Sequence, residues 1–124
     1  MRQSPPEPDV AQHRQQALHN EGLLNGASLP PDWEVTVRFY AVAHWVRAYL
    51  KKALKVPSIE SHERADQLLD QAKVQWTIRS QFKELRWASE DARYYCVRPD
   101  PHQLQRLRDI HDRLRSFFEP KSRP

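Results

Sequence analysis

Apolar side chains crowd residues 32–54, DWEVTVRFYAVAHWVRAYLKKAL, more densely than anywhere else in the chain. Val35, Val37, Phe39, Tyr40, Ala41, Val42, Ala43, Trp45, Val46, Ala48, Tyr49, Leu50, Ala53 and Leu54 leave few polar faces, the pattern of a helix packed on nearly every side. At about 1.5 Å per residue such a helix crosses a small domain. Arg38, His44, Arg47, Lys51 and Lys52 within it argue against a membrane span, since ionisable groups are costly there.

Weaker periodicities flank this stretch. Asp9 is placed to cap a first helix running to about Asn25, with His13, Ala17, Asn20 and Leu24 on one face and Asn25-Gly26 as its stop. Leu29-Pro30-Pro31 forms a rigid connection, Asp32 is expected to cap the central helix, and Val56-Pro57 breaks it. Ser58 or Ser61 starts a third helix that ends near Ala72, with Ala65, Leu68, Leu69 and Ala72 as its apolar face. A fourth covers roughly Val74 to Cys96, with Ile78, Phe82, Leu85, Ser89, Ala92 and Cys96 in a four-three repeat. No glycine or proline marks its break from the third near Lys73. Asp100, Pro101 and Gln103 make a helix start, followed by Leu104, Leu107, Ile110 or His111, Leu114, Phe117 and Phe118.

No segment alternates with period two, so the pattern predicts an all-α fold, a bundle of four to five helices with a long apolar central helix. Residues 1–8, MRQSPPEP, are expected to be disordered, residues 9–118 to form the single bundle, and residues 119–124 to be a frayed tail.

Composition narrows the chemistry. A chain of 124 residues suits one domain. A single cysteine, Cys96, excludes an intrachain disulfide and fits a reducing cytosol, and the polar, proline-rich N-terminus lacks a signal-peptide pattern, so a cytoplasmic location is expected. Lys and Arg number 20 against 16 Asp and Glu, a net +4 that modestly favours an anionic partner. With two glycines there is no phosphate-cradling loop, and no His pair lies at i, i+4 on a helix as zinc sites favour, so neither cofactor nor metal is expected.

Phe39-Tyr40-Ala41-Val42-Ala43-His44, with Val46 and Ala48-Tyr49-Leu50, resembles the "Tyr-Ala-x-x-His … Ala-x-Leu" helix of HEPN domains, small prokaryotic helical bundles of toxin–antitoxin, antiviral-defence and RNA-processing systems. Ala17-Leu18-His19-Asn20 with Leu23-Leu24 resembles that family's opening helix, Ser61-His62 with Arg64 the start of its third, and Ser89-Glu90-Asp91-Ala92-Arg93-Tyr94 its "Arg-x-x-Ala-Asp-Tyr" segment. The resemblance covers roughly residues 10–96. It implies a helical module that binds RNA or protein, as a homodimer or a subunit of a complex. It also implies, as the alternative, a metal-independent endoribonuclease toxin in which an Arg precedes a His at a short spacing, the His moving a proton and the Arg holding the scissile phosphate.

Three pairs meet that spacing: Arg14 with His19, Arg38 with His44, and Arg106 with His111. Arg14 lies in the first helix, away from the family's position, and Arg38 and His44 are about 120° apart around their helix, so Arg106 and His111 are the preferred catalytic candidates. His19, Asn20, His44, His62, Arg93 and Tyr94 fall on four helices at positions matching the resemblance. They are expected to converge either as a buried network or as a pocket for a nucleotide or RNA phosphate. Arg79, Lys83 and Arg86 form a basic stripe flanked by Trp76 and Trp87, suited to single-stranded RNA.

Overall fold

Local chemistry sets most helix ends. Before α1 (Val10–Gly26), Asp9 accepts from the Gln12 amide at 2.8 Å while the Gln12 side chain accepts from the Asp9 amide at 2.9 Å, a reciprocal cap that satisfies two orphan donors. α2 (Pro31–Leu54) starts on a proline, which suits the first helical position, so Pro30 is the cap and Asp32 lies inside the first turn rather than capping it. Lys55 closes α2 in the left-handed region at φ 56°, its amide bonding the Lys51 carbonyl. Ser61 caps α3 (His62–Gln71) by accepting from the Arg64 amide. Asp100 caps α5 (Pro101–Lys121) through the Gln103 amide at 2.7 Å. The break before α4 (Trp76–Tyr94) is made by Lys73 at φ 61°, a conformation that usually calls for glycine. That is why the sequence carried no signal for it.

The computed structural model describes residues 2–26 and 28–124; Met1, part of the segment expected to be disordered, and Ala27 lie outside the described residues. The described residues form an all-helical bundle. α2 packs against each of the other four helices. Phe39, Trp45, Leu50, Phe82, Leu68, Leu69, Leu85, Leu107, Leu114 and Phe118 fill the core, with the Phe39 and Phe82 rings stacked at 5.9 Å between centroids. The α2 surface is less uniformly apolar than its sequence suggests. Glu34, Thr36 and Lys51 are among its buried residues, while Trp33 and Tyr40 open to solvent.

The C-terminal end departs from expectation by polar docking, while the N-terminal segment is irregular as expected but tied to α2 at one point. The last turn does not fray at Glu119: α5 continues to Lys121, Ser122 is fully buried, and Arg14 of α1 donates to the Glu119 carbonyl at 2.8 Å and to the Ser122 hydroxyl. Residues 2–9 have no regular structure, but Lys51 of α2 holds the Glu7 carboxylate at 3.0 Å and the Pro8 carbonyl. Among the described residues no helix is long and apolar enough to cross a membrane.

Candidate functional site

Two polar centres are built into the packing of α1 against α2. The first lies where α1 meets the N-terminal segment, α2 and the start of α3. Tyr40, His44, Arg47 and Lys51 recur on α2 at spacings of four, three and four, which puts them on one helix face. With His13 of α1, His62 of α3, Glu7, Pro8, Ala43 and Ile59 they line a cavity of about 290 Å³. His13 Nδ1 and His44 Nδ1 are 3.0 Å apart, so one ring carries the shared proton and the other accepts it. His13 Nε2 and His62 Nδ1 are buried without a partner among the described residues. Burial, with the charges of His44, Lys51 and Arg47 nearby, lowers the His13 pKa to about 4. Burial and Arg47 also lower His44, and burial followed by Arg47, Arg86 and Arg93 lowers His62. All three rings are therefore neutral at neutral pH. Arg47 itself has no hydrogen-bond or ion-pair partner among the described residues; burial lowers its pKa, and Glu7 supplies the opposing charge.

The second centre joins α1, α2 and α5. Arg108 forks onto Glu34 at 2.7 and 2.8 Å, and Arg38 reaches the same carboxylate at 2.9 Å. These donors, Arg108 foremost, hold Glu34 at about 2. Arg38 also donates to His111 Nδ1 at 2.8 Å. A guanidinium only donates, so the His111 proton sits on Nε2, which donates to Glu21 at 2.8 Å. Glu21 further accepts from Arg115 at 2.9 Å and from the Trp45 indole at 3.1 Å. Burial opposes its ionisation, yet His111, Arg115 and Trp45 together keep its pKa below the ordinary value. A cleft of about 480 Å³ opens beside Arg38, His111, Glu21 and Arg115.

These centres rearrange the candidates named from sequence. Arg106 and His111 are not brought together: Arg106 forks onto Glu84 of α4 at the surface, while both His111 nitrogens are taken by Arg38 and Glu21. Helical spacing placed Arg106 and His111 on one element, but their side chains leave it toward different neighbours. Arg38 and His44 part as their angular separation required, one joining each centre. Of the six residues expected to converge, His44 and His62 line the cavity together. Arg93 stands next to it, donating to the Tyr40 hydroxyl at 2.7 Å and to Tyr94 at 3.2 Å, with its guanidinium over both rings. His19 is exposed and Asn20 only accepts from Gln16 on its own helix, so neither belongs to the cluster. In the basic stripe, Arg86 is committed to Asp66 at 2.8 Å, Arg79 pairs with Asp70 at 3.1 Å, and Arg79 and Lys83 lie over the Trp76 ring.

Sequence reasoning missed His13, Arg47, Glu21, Glu34, Arg108 and Arg115. The Tyr40–His44–Arg47–Lys51 face was legible as a spacing; the pairing of Glu21 and Glu34 with α5 arginines was not, because it depends on how α1 and α5 dock. Among the described residues no three His, Cys, Asp or Glu side chains gather as a metal site would need. Comparison with protein-family models, curated proteins and solved structures finds no match for this chain.

The outer face of α4 is the other notable surface. At about 100° per residue, Trp76, Lys83, Trp87 and Tyr94 fall within about 40° of one another, opposite the buried Leu85. Trp76, Trp87 and Tyr94 are 65%, 56% and 68% exposed. Large aromatic side chains are here in line on an open helix face, the residue types enriched at interfaces.

Proposed function

We propose that the chain is a HEPN-like helical binding module of a prokaryotic defence or toxin–antitoxin system, cytoplasmic, and assembled as a homodimer through α4. The α4 aromatic stripe carries the homodimer; the family reading rests on the sequence resemblance alone. The stripe is self-complementary when a second copy is laid antiparallel about Leu85. Trp76 then faces Tyr94, Lys83 faces Trp87 and Arg79 faces Asp91. Aromatic pairs, cation–aromatic contacts and opposite charges recur on both sides of the two-fold axis, as an isologous interface requires. The saturated hydrogen bonding of His111 supports binding over catalysis, since a general acid or base needs a ring nitrogen free for substrate.

Light scattering on the purified chain tests this. The expected result is the mass of two chains for the wild type and of one chain for Trp87→Glu, with unchanged helical circular dichroism. A monomeric wild type overturns it. A monomer that binds single-stranded RNA and loses that binding on Trp76→Ala or Lys83→Ala would give the stripe, with Arg79 and Lys83, to RNA instead.

A metal-independent endoribonuclease toxin is the second reading, and the Arg38–His111 hydrogen bond beside an open cleft favours it. In that reading His111 works with Arg38 rather than Arg106, and Glu21 releases the ring when RNA enters. RNA cleavage without metal that His111→Ala abolishes supports it; RNA left intact by the wild type removes it.

A further inference from the structure

The cavity between α1, α2 and His62 is built for an anion that the chain itself only partly supplies. Arg47 and Lys51 stand one helical turn apart on its wall, and His44 lies one turn before Arg47. Lys51 is paired with Glu7, but the Arg47 guanidinium is committed to nothing among the described residues. A half-buried guanidinium without a carboxylate in hydrogen-bond range is costly, and an anion bound beside it would offset that cost. His13, 3% exposed, brings a second unsatisfied group, since its Nε2 has no partner; His62 Nδ1 adds a third. Neutral imidazoles can donate to an oxyanion without adding charge to the site. Two cations with neutral donors suit a doubly charged phosphoryl group better than a single carboxylate, and a guanidinium fork matches its oxygens. The 290 Å³ volume leaves room for an organic substituent beside the phosphoryl group.

Glu7 shows how the site is held closed. Its carboxylate lines the cavity, bonds Lys51 at 3.0 Å and acts electrostatically on both Arg47 and His13. It belongs to a segment without regular structure and is half-exposed, so it can leave without unfolding a helix.

We propose that this cavity binds a small phosphate monoester, held by Arg47, Lys51, His13 and His62, and that Glu7 of the N-terminal segment is the internal anion it displaces. The site shares no residue with the α4 stripe, so its test is independent of the dimer. The full chain is titrated with inorganic phosphate and with ribose 5-phosphate, read by calorimetry and by the imidazole NMR signals of His13 and His62. Saturable binding that shifts both rings is expected, tighter for the ester. Glu7→Gln, which removes the competing charge, is expected to bind about tenfold more tightly, and Arg47→Gln about tenfold more weakly. If Arg47→Gln does not fold, His62→Gln, which removes a lining imidazole, takes its place. Absence of binding in both wild type and Glu7→Gln overturns the proposal, as does acetate binding as tightly as phosphate or tightness unchanged by Glu7→Gln.

Discussion

Lowering the pH from 7 to 5 is expected to weaken the fold through its buried histidines, His13 above all. Above its unfolded-state pKa of about 6.5, His13 is neutral in both states and folding exchanges no proton. Below that value the unfolded chain binds a proton that the folded chain, with His13 at about 4, still refuses, so stability falls with pH. From the gap between 6.5 and about 4, His13 alone costs roughly 2 kcal/mol at pH 5, and roughly 3 kcal/mol once the pH reaches about 4. His44 and His62 are displaced in the same direction and steepen the fall. Carboxylates do not confuse this window. Glu34, held at about 2, contributes stability that is lost only as pH drops below its unfolded value of about 4.5 toward 2. Glu21 and Glu119, also displaced downward, act in the same lower range. The assay is urea unfolding at intervals between pH 7 and 5, with the slope against urea held constant as the check for two-state behaviour. His13→Asn keeps a polar group near the His44 ring but cannot titrate, so its stability should fall less over the same interval. A wild-type stability that is flat from pH 7 to 5, or a directly measured His13 pKa near 6.5, would refute the reasoning.

Glu34→Ala leaves Arg38 and Arg108 without their shared carboxylate and should destabilise by about 2–4 kcal/mol in urea unfolding, the lower side applying because Arg108 reaches solvent. Lys73→Gly removes the left-handed strain at φ 61° and should stabilise by about 0.5–1 kcal/mol, seen as a higher Tm. Phe82→Ala opens a cavity against Phe39 in the core and should cost about 3–5 kcal/mol by the same unfolding assay. Deletion of residues 122–124 strips Arg14 and Glu119 of the Ser122 and Arg123 contacts and should cost about 1–2 kcal/mol; an unchanged Tm would restore the frayed-tail expectation.

Local rules carried the fold a long way. The capping residues Asp9, Ser61 and Asp100 and the apolar repeats Leu68–Leu69, Ile78–Phe82–Leu85 and Leu104–Leu107–Leu114 lie where their spacing put them, because capping and amphipathicity act within a turn or two of the chain. Lys73 escaped notice because a left-handed lysine has no sequence signature, and Ser122 because its burial depends on an arginine on α1.

The candidate sites divide along the same line. Sequence by itself determined an all-α chain, the stretch that became α2, and the separation of Arg38 from His44 around it. All of these follow from the helical repeat. Only the tertiary structure decided that Arg38 meets His111 across α2 and α5, that Arg106 turns away to Glu84, and that His13 joins His44, His62 and Arg47 around a cavity. Those contacts join residues dozens of positions apart. They depend on the rotation and register with which helices dock, which the apolar core sets and no single segment encodes.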